Sequence, residues 1–459
     1  MSNKLLNSAA SRDIAYHLHP YTNLKAHESD GSLIITRGEG VRVFDVDDNA
    51  YIEGMAGLWC TALGFSENRL IEAAHRQMKT LPFYHSFNSK ASDIIGALAQ
   101  EIIELAPVPM SKVFFANSGS EAIDTAIKLV WYYNNALGRP EKKKIIARDK
   151  AYHGVTIASA SLTGLPNNHR NFDLPMAGVL HTDCPHYYRY AEEDESEEDF
   201  STRLASNLES LIEQEGPDTI AAFFAEPVMG AGGVIIPPKT YFEKIQKILK
   251  KHDILFVVDE VICGFGRTGN WWGSQTYDLK PDMMTMAKAL TSGYVPMSAL
   301  MVSEKIYEAM KQESEKIGLF VHGFTYGSHP LAAAVGLEAL TIYKEHNIID
   351  HVRTVAPALQ EGLQKFASHP LVGEVRGVGL VGAVEIVADK KTKASFEPSQ
   401  GVMPYLISRA QAHGLIVRMI ADSVAFSPPL IITEAEIGEI LSSFGKALDD
   451  TQSWISQQP

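Results

Sequence analysis

Five short apolar runs in the middle of the chain each end in a polar or glycine-rich group, and this pattern restricts the fold more than any other. The runs are KVFFA before Asn117-Ser118-Gly119-Ser120, KIIARD before Tyr152-His153-Gly154, AAFFA before Glu226-Pro227, ILFVV before Asp259-Glu260, and MMTMA before Lys288. Such runs, separated by helix-length segments, are typical of strands buried on both faces of a mostly parallel sheet. Ligands bind outside the carboxyl ends of such strands, so we expect the five groups to line one crevice.

The flanking segments have different patterns. Val41 to Glu53 reads as two strands joined by a turn, which predicts an antiparallel hairpin. After about Pro330 the pattern predicts a helix, strands near 379–386 and 415–419, and a helical tail from Glu434. We therefore predict a large α/β domain at 71–329, and a smaller α+β domain built from both ends of the chain, 1–70 and 330–459.

Charge and cysteine usage exclude several classes of function. The net charge of −14 disfavours binding to nucleic acid. Three cysteines without CxxC spacing argue against a disulfide framework and a structural zinc site, and no metal is expected. Without a secretory pattern or a long unbroken apolar segment, the interpretation is a cytoplasmic protein that does not enter membranes.

The segment from Asn117 to Ala122 follows a predicted strand and precedes a predicted helix. Backbone N–H groups at a helix start attract anions, and glycine lets the ligand approach the backbone. A phosphate site is one interpretation. An ordinary serine helix cap explains the segment equally well.

Asp259 and Lys288 form the second candidate site. Asp259 ends an apolar run without a local lysine or arginine, so it needs a distant cation: the protonated ring of a ligand or a structural ion pair. Lys288 lies among apolar residues that lower a lysine pKa, which favours the neutral amine that attacks an aldehyde. Enzymes that use pyridoxal 5′-phosphate (PLP) combine such a lysine with an acidic partner, although an isolated lysine is more often a surface charge.

These motifs identify a resemblance to the class III aminotransferases of PLP fold type I, and within them to the ω-transaminases that pair amines with pyruvate. It covers roughly residues 16–447, and its most specific segments are 259–269, 117–122, 152–154 and 322–325. The resemblance implies an α/β fold with a mostly parallel central sheet. It also implies a homodimer or homotetramer with shared active sites.

The resemblance also implies roles for individual residues. Lys288 would hold PLP as a Schiff base, with Asp259 pairing with the ring nitrogen. The other cofactor contacts implied are Ser118, Gly119, Ser120, Tyr152, His153, Glu226 and Val261, together with Thr325 reaching the phosphate of the neighbouring subunit. The substrate pocket would contain Tyr21, Trp59, Phe87, Tyr152 and Arg418. Taken alone, the aromatic residues could be core, Thr325 a turn residue and Arg418 half of a surface salt bridge.

The expected activity is transfer of an amino group from a primary amine, diamine or ω-amino acid to an α-keto acid, with Arg418 gripping the carboxylate of pyruvate. Two rivals remain open: another class III reaction, such as an aminomutase or decarboxylating transaminase, and a catalytically silent PLP-binding protein. Three departures from the family pattern affect cofactor contacts, namely Ile123, Ile262 and the order Gly327-Ser328.

Overall fold

The computed structural model describes residues 8–458. Helices of three turns or more make up most of its helical part. The helices are α1 (Ala9–Tyr16), α2 (Leu24–Asp30), α3 (Ala56–Trp59), α4 (Asn68–Thr80), α5 (Asp93–Glu104), α6 (Gly119–Ala136), α7 (Ile157–Leu162), α8 (Pro166–His169), α9 (Tyr187–Tyr190), α10 (Glu197–Glu215), α11 (Tyr241–Lys251), α12 (Gly273–Thr276), α13 (Glu304–Ile317), α14 (Pro330–Glu345), α15 (Ile348–Gln364), α16 (Val402–Ala412) and α17 (Glu434–Ser456).

The strands form one large sheet and two smaller ones. They are β1 (Ile35–Glu39), β2 (Arg42–Asp45), β3 (Ala50–Glu53), β4 (Lys112–Ala116), β5 (Lys144–Arg148), β6 (Val179–Thr182), β7 (Ile220–Ala225), β8 (Leu255–Asp259), β9 (Met283–Met286), β10 (Ser298–Val302), β11 (Val372–Val378), β12 (Val381–Ile386), β13 (Leu415–Ile416), β14 (Arg418–Ile420) and β15 (Ser423–Phe426).

The large sheet has seven strands in the order β4-β10-β9-β8-β7-β5-β6. Only β10 runs against its neighbours, pairing antiparallel with both β4 and β9. The carboxyl ends of the other six strands therefore lie along the same edge. Strands β7 and β8 are buried along their whole length because helices cover both faces of the sheet.

The two smaller sheets combine segments from opposite ends of the chain. Strands β1, β2 and β3 form an antiparallel meander, and β13 adds to β3 in parallel through Leu415–Ile52 and Ile416–Glu53. Strands β11, β12, β15 and β14 form the third sheet, which is antiparallel throughout. A common hydrophobic core joins residues of all three sheets to α14, α15 and α17.

These observations confirm the predicted mixed α/β fold and the mostly parallel sheet. The hairpin at 42–53, the helix from Pro330 and the helical tail from Glu434 are also present. The single strand predicted near 415–419 is wrong in detail, because Val417 separates β13 from β14 and the two strands join different sheets. Strands β6 and β10 were not among the five predicted runs.

Candidate active site

A cavity of about 140 Å³ opens at the carboxyl edge of the large sheet. Its wall contains groups that follow all five of the predicted strands. The lining residues are Gly119, Ser120, Tyr152, His153, Gly154, Glu226, Asp259, Val261, Ile262, Ala287 and Lys288. The five groups therefore line one cavity, as expected from the sequence.

The first turn of α6 supplies one wall of the cavity. Ser118 caps the helix by accepting from the Glu121 N–H, and the Glu121 carboxylate accepts in return from the N–H groups of Asn117 and Ser118. The N–H groups of Gly119 and Ser120 lie in this first turn, where the helix itself supplies no acceptor. Ser120 Oγ accepts from the Val155 N–H at 3.1 Å, which leaves its own proton to donate. This wall suits an anion.

Asp259 ends β8 and is only 5% exposed. Its Oδ1 accepts from the Val261 N–H at 3.1 Å and from Thr285 Oγ1 at 3.2 Å, and its Oδ2 lies 2.8 Å from His153 Nδ1. No lysine or arginine within residues 8–458 forms an ion pair with it. Asp259 is thus a buried carboxylate fixed at the cavity wall by neutral donors and one imidazole.

Lys288 lies just after β9 with a backbone φ of +47°, a left-handed conformation that is unusual for a residue with a side chain. Burial lowers the pKa of its amine, whereas Cys60, Asp259 and Glu226 raise that pKa and Arg418 lowers it further. The net shift is downward because removal from water dominates. The amine is therefore biased toward the neutral form, which is the nucleophile.

The side chains of Lys288 and Arg418 both lie close to the Trp59 ring. Lys288 Nζ is 5.2 Å from its ring centroid and Arg418 Cζ is 5.1 Å from the same centroid. Burial lowers the pKa of the Arg418 guanidinium. In the part of the chain that the structure describes, Arg418 has no carboxylate partner, whereas Arg376 pairs with Glu374 and Glu385, and Arg409 pairs with Asp450.

Tyr152 lines the cavity, and Tyr21 lies beside it. Burial raises the pKa of Tyr152, and the adjacent Tyr21 hydroxyl raises it further. Tyr21 itself accepts from Asn168 Nδ2 at 2.7 Å and has a left-handed φ of +50°. The Tyr152 N–H donates to Glu226 Oε1 at 3.1 Å, so Glu226 fixes the backbone that carries this ring.

The cavity fits PLP by the chemistry of its groups. Asp259 offers a buried anion for a protonated ring nitrogen, the first turn of α6 offers donors for a phosphate, and Lys288 offers an amine for an aldehyde. A side chain at position 119 would lie 3.3 Å from Val261 Cγ2, so glycine keeps the space between the helix and Val261 open. The residues at the cavity match what the cofactor requires.

Three predicted contacts lie away from the cavity in this chain. The Ser118 side chain caps α6, and Thr325 is exposed in a turn. Phe87 is 44% exposed and packs against Gly323, near Thr325. Phe87 and Thr325 therefore share one exposed surface instead of lining the cavity of their own chain.

The three departures from the family pattern have defined positions. Ile262 lines the cavity and fills the space beside Gly230, whose added Cβ would lie 2.4 Å from Ile262 Cδ1. Ile123 is fully buried in the core against α6 neighbours. At the reversed pair, Gly327 is buried and Ser328 has a φ of +60°.

Sequence reasoning missed two residues that hold others in place. Thr285 bonds Asp259 from the neighbouring strand β9, and Asn168 bonds the Tyr21 hydroxyl. Neither residue stands in a recognisable motif. Only strand register brings Thr285 opposite Asp259, and only the fold brings residue 168 to residue 21.

Comparisons with known proteins agree with this geometry. The family described as aminotransferase class-III matches residues 24–448. Gamma aminobutyrate transaminase 1, mitochondrial, of Solanum lycopersicum is 54% identical over 93% of this chain and 83% of its own length. The ω-transaminase of Pseudomonas jessenii, solved in complex with PMP, is 54% identical, with a TM-score of 0.97 over 98% of this chain and 100% of that one.

A third relative is a transaminase solved with L-ala. It is 54% identical, with a TM-score of 0.91 over 92% of this chain and 100% of that one. No helix within residues 8–458 is both long and apolar enough to span a bilayer. The family match covers nearly the whole chain and agrees with the cavity, so the chain is a PLP-dependent transaminase and belongs to the class III aminotransferase family.

Proposed function

We propose that this enzyme is an ω-transaminase that moves an amino group from a primary amine, diamine or ω-amino acid to pyruvate. The products are an aldehyde or ketone and alanine, formed in two separate half-reactions. The proposal rests on the environment of Arg418. It is a partly buried guanidinium, 5.1 Å from the Trp59 ring and without a carboxylate partner among residues 8–458.

An unpaired arginine beside the lysine amine is suited to binding a carboxylate. A planar guanidinium can donate two parallel hydrogen bonds to the carboxylate of an α-keto acid. Arg418 Cζ and Lys288 Nζ lie 5.1 and 5.2 Å from the centroid of the same Trp59 ring, so a small keto acid held by Arg418 would have its carbonyl carbon near Lys288. An uncharged amine needs no such partner, and Arg418 would then turn toward solvent.

When bound, PLP supplies an aldehyde that links to amines and a protonated ring that withdraws electrons from the substrate carbon. Lys288 would hold the cofactor, and its amine, once free, would move a proton from the substrate carbon. Asp259 would keep the ring nitrogen protonated. Ser120, Gly119 and, through its cap, Ser118 would hold the phosphate.

The remaining side chains would orient the ring. Tyr152 and Val261 both line the cavity, and each would contact one face of the cofactor ring. His153 acts through Asp259, and Glu226 acts through the Tyr152 backbone. Tyr21 and Trp59 would shape the space for the amine.

Two comparisons support the choice of substrates. Alanine, which was bound to a transaminase 54% identical to this chain, is the amino acid formed from pyruvate. The plant relative carries the name gamma aminobutyrate transaminase, which supports an ω-amino acid as one donor. Arg418 would bind the carboxylate of either compound, in different half-reactions.

We further propose a homodimer or homotetramer in which Phe87 and Thr325 complete the site of a neighbouring subunit. Phe87 supports this arrangement, because it is a large apolar side chain that is 44% exposed and packs against Gly323, two residues before Thr325. The chain would divide into segments 1–70, 71–329 and 330–459, as the sequence predicts.

We also propose a cytoplasmic location. Some relatives have names that place them in mitochondria, so cell fractionation is the test that distinguishes the two compartments.

Separate half-reactions test the proposed function. The holoenzyme is mixed with one amine at a time, and loss of the absorbance of lysine-bound cofactor is followed in the absence of acceptor. The panel contains γ-aminobutyrate, β-alanine, a diamine and an arylalkylamine. Pyruvate should then restore the absorbance and release alanine. A silent cofactor-binding protein would show no change, and an aminomutase would return an isomer without needing pyruvate.

A further inference from the structure

A cluster of three histidines and one aspartate lies in the N-terminal segment, outside the active site. Asp13 lies on α1, and His17 is the first residue after that helix. His19 lies in the loop between α1 and α2, and His27 lies on α2. His17 is the C-terminal cap residue of α1, and its backbone N–H donates to the Asp13 carbonyl, which keeps the two residues close together. Ser32 Oγ donates to Asp13 Oδ2 at 2.7 Å, and this hydrogen bond helps to fix the orientation of the carboxylate.

The distances within this cluster are close to those between ligands of one metal ion. His19 Nε2 is 2.9 Å from Asp13 Oδ1, His17 Nδ1 is 3.1 Å from the same oxygen, and His27 Nε2 is 3.7 Å from Oδ2. Tetrahedral zinc with bonds of about 2.0–2.1 Å holds its ligand atoms about 3.3 Å apart. The ligand atoms of Asp13, His17 and His19 all lie within 4.8 Å of one another.

His27 provides a second and independent observation. Its side chain is only 7% exposed, and Nε2 has no hydrogen-bond partner within residues 8–458 although it faces Asp13. A buried polar atom without a partner is costly, and native structures rarely keep one without a use. A metal ion bonded to Nε2 would remove that cost.

The other cluster of possible ligands does not offer a cation site. His186, Glu374 and Glu385 lie within bonding distance of one another, but Arg376 already bonds both carboxylates and Arg189 also bonds Glu385. Two guanidinium groups neutralise these carboxylates and would repel a second cation.

We propose that Asp13, His17, His19 and His27 form a site for one divalent transition metal of the zinc type. Imidazole nitrogens with one carboxylate suit such ions better than magnesium or calcium, which prefer oxygen ligands. The sequence-based expectation of no metal rested on cysteine spacing, and the fold brings together histidines that this spacing does not describe.

The position of the site gives it a structural consequence. It joins the end of α1 to α2 across the loop that contains Pro20 and Tyr21. Tyr21 lies two residues after His19 and reaches Tyr152 at the cavity. A bound metal would therefore fix the loop from which Tyr21 enters the active site.

Calorimetric titration of the holoenzyme with Zn²⁺, after dialysis against a chelator, tests the site. We expect one tightly bound ion per chain. His19→Gln and His27→Gln should each weaken binding by at least 10-fold. Ser32→Ala, which removes only the support of Asp13, should weaken it by about 10–100-fold, as is usual for partners of ligands. His75→Gln is the matched control, because His75 also lies 3.8 Å from a carboxylate but outside the cluster.

A second measurement does not depend on enzyme activity. Zn²⁺ should slow proteolytic cleavage within residues 8–32 of the wild type and leave cleavage of the His19→Gln/His27→Gln double variant unchanged. The cofactor absorbance of each variant shows whether it has folded, and the milder Ser32→Ala variant remains informative if the double variant has not. Equal zinc affinity in the wild type and in Ser32→Ala and His27→Gln would overturn the proposal, as would a wild type that binds no zinc.

Discussion

His153 Nδ1 lies 2.8 Å from Asp259 Oδ2, and the His153 side chain has no exposed surface. With its proton on Nδ1, the imidazole donates a hydrogen bond that the Asp259 carboxylate accepts. The other ring nitrogen, Nε2, is buried without a partner among the described residues. His153 therefore holds the Asp259 carboxylate in position at the cavity wall.

Replacing Asp259 with asparagine should preserve cofactor binding and slow amino transfer severely. The amide oxygen can still accept a hydrogen bond from His153 Nδ1. A neutral amide cannot, however, stabilise a proton on the ring nitrogen of the cofactor. We expect the loss to be at least ~10²-fold, the lower range for a positioned acid–base group. Single-turnover rates with a saturating amine measure it, and an unchanged rate would exclude the proposed pairing.

Lys288→Ala should bind PLP without a covalent link and lose turnover by at least ~10²–10⁴-fold, because one amine is assigned both attachment and proton transfer. Lys280→Ala is the matched control, since Lys280 pairs with the exposed Asp278. Borohydride trapping followed by peptide mapping identifies the attached lysine. Trapping at any other lysine would show that the assignment is wrong.

Arg418→Ala should impair the pyruvate half-reaction much more than that of an arylalkylamine. Loss of a desolvated charge pair with the acceptor suggests ~2–5 kcal/mol, toward the lower value where water enters the open pocket. Stopped-flow measurement of each half-reaction makes the comparison. Arg409→Ala, which removes an arginine paired with Asp450, should affect neither. Equal losses in both half-reactions would make Arg418 a structural residue.

Gly154→Ala should loosen the cofactor. Gly154 has a φ of +135°, and an added Cβ would lie 2.4 Å from Ser120 Oγ and 2.5 Å from Ser159 Oγ. Ser120 would have to move away from the first turn of α6. Loss of one hydrogen bond to a charged phosphate implies about 10–100-fold weaker PLP binding. Gly96→Ala should bind PLP normally, because nothing lies within 4 Å of its added Cβ.

Glu53→Gln should change how stability depends on pH. Burial raises the pKa of Glu53 from 4.5 to about 7. The folded protein therefore binds this proton more tightly than the unfolded chain does. The stabilisation is complete below about pH 4.5 and disappears as the pH rises through 7. Above pH 7 the wild type must hold a charged carboxylate at this buried position, whereas the glutamine of the variant stays neutral.

The melting temperatures of the wild type and Glu53→Gln, each with excess PLP, should therefore be similar near pH 5. Near pH 8 the variant should be the more stable, by at most about 3 kcal/mol at 1.36 kcal/mol per pKa unit. Glutamine still accepts the Met55 N–H, which Glu53 Oε1 accepts at 2.9 Å. A constant difference between the two proteins at all pH values would contradict the raised pKa.

The parts of the site that follow buried strands could be predicted because strand ends are visible in the sequence. Asp259 and Lys288 each end or follow such a run, and parallel strands bring them to one edge. The approach of both Lys288 and Arg418 to the Trp59 ring could not be predicted from spacing, since the three residues come from distant segments. Strand β10 was also missed, because its antiparallel direction brings its first residue, Ser298, to the shared edge, whereas the predicted pattern was a polar group after the end of each strand.

The pairing of β13 with β3 has a consequence for synthesis on the ribosome. The Ile52 N–H donates to the Gly414 carbonyl at 2.8 Å, and the Gly54 N–H donates to the Ile416 carbonyl at 2.9 Å. The sheet that contains β3 therefore cannot be completed until residues 414–416 have been synthesised. Until then β3 is an open edge that another chain could join. Arg418 emerges directly after β13. The arginine assigned to the acceptor is thus among the last active-site groups to be delivered, and a nascent chain released early would have the cofactor lysine without it.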